Sequence, residues 1–224
     1  MKDINQFVEG FRAFQQTYFA GEDALFETLA KGQTPETLLI GCCDSRVDPA
    51  LLTQCAPGEM FVIRNVANLV PECEIGSHHQ GVSAGIQFAV CDLGVKRIIV
   101  LGHAQCGGIK ALMDGRGEHA APEDYIGKWI GIAEPARQRV KNELGHKPLE
   151  VQRRAAELTS ILVSLENLLT FPWIKEKVDA GLLTLHGWFF DIEQGALLAY
   201  DAKTRHFEAL VCPLGQPYHA STSA

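Results

Sequence analysis

Apolar positions along this chain change period several times, and each change marks a candidate element. Phe7, Phe11, Phe14 and Tyr18 recur at spacings of four, three and four. That is one helical face, so the first thirty residues read as helix. Residues 37–41 and 60–64 are short apolar runs, as in parallel strands buried on both faces. Residues 97–102, Arg-Ile-Ile-Val-Leu-Gly, are the most strand-like segment. Residues 76–92 predict a helix with Ser77 as N-cap and apolar spacing at Val82, Ile86, Ala89 and Val90. Gly107 and Gly108 open another helix that runs through Met113, and residues 114–122 form a polar loop. Residues 126–170 are helical with a break at 145–148, and Pro172 starts one more helix. Residues 182–191, 196–201 and 206–211 read as strands, with Gly195 marking a hairpin turn between the first two.

Strands alternating with helices predict an α/β fold: a single domain with a mostly parallel central sheet flanked by helices, an antiparallel edge hairpin and an N-terminal helical arm. The expected organisation is a helical arm over 1–35, an α/β body over 36–212 and a loose tail over 213–224. No repeat or linker divides the body.

Composition changes the picture in three respects. With 46% hydrophobic residues among 224, the chain can bury a sizeable core. A formal charge of -7 disfavours a nucleic-acid partner, because phosphate-backbone binding runs on excess Lys and Arg. No apolar run approaches the ~18 residues of a membrane span, and the N-terminus has no apolar signal core, so a cytoplasmic location is expected. Seven cysteines in such a setting point away from a disulfide framework and toward thiolate ligands or nucleophiles.

Two clusters carry candidate chemistry, each directly after a predicted strand. One is Cys42-Cys43-Asp44-Ser45-Arg46 and the other is Gly102-His103-Ala104-Gln105-Cys106-Gly107-Gly108. Ligands collect beyond the carboxyl ends of parallel strands. Cys42, His103 and Cys106 can therefore converge, and two sulfurs with one imidazole suit Zn2+ with one position left over. Asp44 either fills that fourth position or pairs with Arg46 beside it; an ordinary loop ion pair is the blander option. A lone His-x-x-Cys is weak evidence, since a buried cysteine is often only a small hydrophobe.

Cys42-x-Asp44-Ser45-Arg46, Arg64-Asn65-Val66-Ala67-Asn68 and His103-x-x-Cys106-Gly107-Gly108 resemble the β-class carbonic anhydrases in order and spacing. The resemblance runs from about Gln33 to Leu112, with a fainter match over 182–201. It implies a zinc lyase that hydrates carbon dioxide reversibly to bicarbonate and a proton by attack of zinc-bound hydroxide. It implies Cys42, His103 and Cys106 as metal ligands and Asp44 and Arg46 as the catalytic dyad. It further implies Gln33, Phe61, Val66 and Gly107 around the substrate. The plant-like, open-site branch is favoured, because Leu39 and Phe190 replace the Trp and Tyr of the other branch's bicarbonate pocket. Phe88 and Asp92 stand where the plant-like branch has a tyrosine and a proton-transfer histidine. His78 and His79 are then titratable candidates for a shuttle, although a solvated surface pair is the simpler reading. The resemblance also implies a homodimer or tetramer, which turns the aromatic stripe of residues 7–18 toward a partner copy.

Two competing readings stand beside this one. The same attack could hydrolyse carbonyl sulfide or carbon disulfide. A zinc-stabilised binding module without turnover would want four protein ligands, and would have no use for Asp44, Arg46 and Gln33 together. Cys43, Cys55, Cys73, Cys91 and Cys212 are left as ordinary thiols.

Overall fold

The computed structural model describes residues 3–20, 25–76, 80–118 and 120–218. Ser77, His78 and His79 lie outside the described residues. Contacts divide the chain into two compact units, Met1–Thr34 and Pro35–Ala224.

The first unit holds α1 (Ile4–Phe19) and α2 (Leu25–Leu29). The predicted stripe lies on one face of α1, and Phe26 of α2 closes onto its C-terminal half. The Phe26 ring is 5.4 Å from Phe14 and 6.0 Å from Tyr18, a spacing typical of aromatic pairs. The other half of the stripe, with Phe7 and Phe11, stays exposed together with Ile4.

In the second unit a six-stranded sheet has the order β2-β1-β3-β4-β5-β6. Its strands are β1 (Thr37–Cys42), β2 (Met60–Asn65), β3 (Arg97–His103), β4 (Thr184–Asp191), β5 (Ala196–Asp201) and β6 (His206–Val211). The first four in spatial order are parallel; β5 and β6 are antiparallel. This is the α/β class that the pattern predicts. The first three strands each run one residue beyond their apolar runs, ending at Cys42, Asn65 and His103. Backbone pairing thus carries the polar chemistry to the sheet's edge. Strand β4 starts later than expected, because Gly181 turns with φ 69° and the N–H groups of Leu182 and Leu183 bond back to Lys177 O.

Two helices differ from the pattern. The helix expected over 76–92 begins at α4 (Gly81–Gln87) and widens into a π-turn over Phe88–Asp92. There Leu93 N–H bonds to Phe88 O at 2.9 Å. A short α3 (Pro49–Thr53) has no apolar period to announce it. It is started by Asp48, whose side chain accepts the Leu51 N–H at 3.2 Å, and by Pro49 in the first turn. The remaining helices are α5 (Gly107–Met113), α6 (Tyr125–Ile130), α7 (Glu134–Leu144), α8 (Leu149–Leu168) and α9 (Pro172–Asp179). None of the described helices is long and apolar enough to cross a membrane.

The main core lies between one sheet face and α8, which packs across β3 and β4. Leu38, Ile40, Ile98, Val100 and Phe189 from the sheet meet Ile161 and Leu168 there. Polar residues of α8 also serve this face. Ser164 accepts the Val70 N–H at 3.3 Å, and Asn167 Nδ2 donates to Val70 O at 2.8 Å, so the segment after β2 leaves no buried backbone group unpaired at Val70. A smaller cluster of Leu39, Ile99 and Leu101 occupies the opposite face. The close approach of α8 depends on Gly102. A Cβ there would lie 2.7 Å from Ile161 Cδ1, and Ile161 is fully buried. The tail from Pro213 carries no regular element among the described residues, yet Tyr218 packs on the core.

Overpacking that contact has a measurable cost. Gly102→Ala should destabilise the protein by about 1–3 kcal/mol, read as a lower urea midpoint at unchanged slope. Adding Ile161→Val should recover part of the loss. Equal midpoints for Gly102→Ala and the parent would show that α8 yields without cost.

Candidate active site

The strand order reverses at β1, with β2 on one side and β3 on the other. The carboxyl ends of β1 and β3 therefore flank the crevice where open α/β sheets bind ligands. Cys42 ends β1, His103 ends β3, and Cys106 stands immediately before α5. Their donor atoms all lie within 4.8 Å of one another, and all three residues are buried.

The imidazole is oriented by its neighbour. His103 Nδ1 lies 2.9 Å from Ala104 O, so it carries the proton and leaves Nε2 as the free lone pair. That Nε2 is buried and has no hydrogen-bond partner. Buried polar atoms are seldom left so. A soft divalent cation between this nitrogen and the two sulfurs would satisfy it, and the donor set fits zinc.

The rest of the cradle is built from backbone. Cys42 Sγ accepts N–H groups from Asp44 and from Ala67, each at 3.4 Å. Ala67 takes a left-handed φ of 64° to aim its N–H there. The Asn65 side chain closes this turn at both ends, donating to Leu69 O at 2.9 Å and accepting Leu69 N–H at 2.8 Å. Trp129 Nε1 donates to Val66 O at 2.7 Å. A Cβ on Gly108 would come within 2.9 Å of Val66 Cγ1, which accounts for the second glycine of the motif.

The 43–48 loop is held by two arginines. Arg46 forks onto Asp44, with Nε to Oδ1 at 2.9 Å and a terminal nitrogen to Oδ2 at 2.7 Å. Arg46 also donates to Gln105 O at 3.2 Å, joining the two clusters. Arg64 donates to Cys42 O, Asp44 O and the Asp48 carboxylate at 2.8–2.9 Å. Asp44 Oδ2 stands 3.9 Å from His103 Nε2.

Charge follows from this arrangement. The Arg46 hydrogen bonds hold the Asp44 carboxyl well below the usual carboxylate range. A hydrogen bond from the Cys106 thiol is the main cause that lowers Cys42, with help from the Asp44 and Ala67 N–H groups. That hydrogen bond and then burial push Cys106 up. Burial opposes charge on His103, but its contact with the Cys42 sulfur leaves it raised overall. A bound cation would let both sulfurs ionise.

The structure gathers Cys42, Asp44, Arg46, Val66, His103, Cys106 and Gly107 in one place. Val66 packs against the apolar cluster that contains Cys42 and Cys106, and a Cβ on Gly107 would meet open space. Phe61 is not among them within one chain. It pairs with Leu38, four residues before the Cys42–Asn65 pair, roughly 13 Å back along the strand. There its ring meets Phe88 at 5.8 Å. Gln33 belongs to the first unit. Leu39 is fully buried, and Phe190 pairs with His103 in register. All seven cysteines are free thiols.

Motif spacing does not reveal one buried group. Glu157 on α8 is 7% exposed, and its Oε1 accepts the Cys106 N–H at 3.1 Å. Burial pushes its carboxyl up to about 7. The available signal is helical: 157, 160, 161, 164 and 168 share the inward face of α8, and a glutamate there is out of place.

A parallel sheet with a buried sulfur–imidazole–sulfur set at its switch point has the form of an α/β enzyme whose site could hold a metal ion. A sequence profile of the family described as carbonic anhydrase matches residues 37–197. Carbonic anhydrase of Pseudomonas aeruginosa is 39% identical over 211 residues, 94% of this chain and 92% of that protein. Carbonic anhydrase of Synechocystis is 38% identical over 207 residues, 92% and 74% of the two chains. Among solved structures, the β-carbonic anhydrase CcaA matches with TM-score 0.85 and 36% identity, covering 94% of this chain and 95% of that one. Coccomyxa β-carbonic anhydrase in complex with acetazolamide matches with TM-score 0.76 and 28% identity, covering 88% and 86%. The chain belongs to the β-class carbonic anhydrases.

Each ligand should be needed for metal. Purified parent protein should carry about one zinc per chain, and Cys42→Ser and Cys106→Ser should carry almost none. Cys43→Ser, one residue away and exposed, should keep full metal by elemental analysis. Loss in all three would point to a cluster other than the one described.

Proposed function

We propose that this enzyme hydrates carbon dioxide reversibly to bicarbonate and a proton at a zinc ion held by Cys42, His103 and Cys106. The observation that carries this reading is the unpartnered Nε2 of His103 between two buried sulfurs, with the Asp44–Arg46 fork 3.9 Å away. When bound, zinc supplies Lewis acidity that makes hydroxide available near neutral pH.

The chain's own residues then orient the reaction. Asp44 spends Oδ1 on Arg46 Nε and on the Arg46 backbone N–H, at 2.9 and 3.0 Å. Its Oδ2 meets Arg46 but retains a lone pair on the side of His103. Asp44 can thus accept a proton from the attacking oxygen as a hydrogen bond and turn that oxygen's lone pair toward carbon. Arg46 keeps Asp44 ionised and prevents it from rotating onto the metal. This favours the plant-like, open-site branch over one in which Asp44 is a fourth ligand. Leu39 and Phe190 offer no donor for a bicarbonate pocket, which supports the same choice.

Val66 and Gly107 are proposed to line the approach of an apolar, linear substrate. Gln33 is proposed as the polar guide and Phe61 as a further wall. Given its distance along β2, Phe61 can serve only a site in a second copy of the chain. Self-association is supported by the exposed Phe7 and Phe11. A relative described as tetrameric, from Sordaria macrospora, shares 29% identity at TM-score 0.68, covering 93% of each chain.

Stopped-flow hydration with metal analysis tests the reading. Asp44→Asn and Arg46→Ala should keep zinc and lose turnover by about tenfold to a hundredfold or more. Parental hydration in Asp44→Asn would remove the role assigned to that carboxylate. Activity should fall gently below roughly pH 8, as the hydroxide that a bound zinc would make available is lost by protonation to water. A steep shutoff that deepens with added bicarbonate would instead place the chain in the other branch.

A further inference from the structure

Glu157 is a carboxyl group buried beside Cys106, where a negative charge is costly. The dyad chemistry makes no use of it. Its Oε1 accepts the Cys106 N–H, while its Oε2 lies 3.8 Å from Arg154, three residues earlier on the same face of α8. Arg154 is itself fixed on all sides. Its guanidinium carbon stands 4.1 Å over the Phe189 ring. It donates to Asp191 Oδ2 at 2.5 Å and to the Tyr218 hydroxyl at 3.0 Å. Asp191 is 1% exposed and accepts the N–H groups of Glu193 and Gln194 in the β4–β5 turn. The Glu193 side chain in turn takes Gln105 Nε2, and Ala104 N–H donates to Phe190 O at 2.9 Å.

The 104–106 turn is therefore pinned from four sides, by Phe190, Glu193, Glu157 and Arg46. It needs such holding, because Gln105 sits at a left-handed φ of 56°. A side-chain residue persists there only where the surroundings over-determine it. Of the four contacts, the one from Glu157 acts on Cys106 itself and fixes the peptide from which the sulfur projects.

We propose that Glu157, oriented by Arg154, is a positioning residue for the metal ligand Cys106, and that Tyr218 ties the C-terminal segment into the same arrangement. Retention of metal then depends on an acceptor oxygen on α8 that faces the Cys106 N–H and, one step further out, on the docking of Tyr218. The inference rests on the zinc reading of the site, and its test is read on metal release rather than on turnover.

The test uses the full-length protein loaded with zinc, transfer of zinc to a colorimetric chelator, and the thiolate-to-cobalt charge-transfer band of the cobalt-substituted form. Glu157→Ala should speed zinc release by about tenfold to a hundredfold and shift the cobalt band. Glu157→Asp, which draws the acceptor back by one methylene, should move both readouts the same way and decides the matter if the alanine variant does not fold. Glu157→Gln keeps an oxygen facing Cys106 N–H and should restore most of the retention. Tyr218→Phe should quicken release by about two- to fivefold, the share of one hydroxyl hydrogen bond. If Glu157→Asp releases zinc at the parental rate with an unchanged cobalt band, the positioning role is overturned, even where its melting temperature falls. Parental release from Tyr218→Phe overturns the link to the C-terminal segment. A parent that holds zinc without hydrating carbon dioxide overturns the proposed activity instead, and the same release rates still decide the role of Glu157.

Discussion

A buried imidazole nitrogen with no hydrogen-bond partner is a standing cost of about 1–3 kcal/mol, and the molecule is arranged around it. His103 Nε2 has water excluded and two sulfurs for company. Everything nearby resists the obvious relief, which would be rotation of the ring. The Ala104 carbonyl holds Nδ1, and β4 pairs with the strand up to His103 itself. The free lone pair is preserved by the sheet, and a cation is a partner that would satisfy it.

The same economy explains the arginines. The site concentrates acidic groups: two thiols that a bound cation would ionise, Asp44, and Glu157 behind them. Each carboxylate has an assigned guanidinium, Arg46 for Asp44 and Arg154 for Glu157. Arg64 adds no charge partner inside the cluster; it threads the carbonyls of Cys42 and Asp44 and so shapes the loop. Negative charge is thereby held in known directions instead of being spread, which a metal with fixed geometry requires.

How much of this was legible beforehand follows from what each feature depends on. Strands β1 and β3 carry continuous apolar runs because both faces are buried, so burial writes them directly into the residues. The ligands stand out because sulfur and imidazole are rare at strand ends. Residues 49–53 hid their helix because five residues are less than two turns and show no period. The late start of α4 and its π-turn depend on backbone bonding that composition does not record. Phe61 matches a pocket position by resemblance, but which residue of β2 stands beside Cys42 is set by strand register, which one sequence does not display. Glu157 acts through a backbone N–H, and an N–H leaves no mark on residue identity. Even so, its place on the inner face of α8 set it apart.

The two halves of the donor set differ in how far the chain must travel to assemble them. His103 and Cys106 share one turn, whereas Cys42 lies 61 positions before His103. An unfolded chain can thus present two donors at almost no entropic cost, but the third arrives only when β1 pairs with β3, after a long loop has closed. Full coordination is a property of the paired sheet and not of any local segment. The three donors therefore stand together only once β1 and β3 have paired.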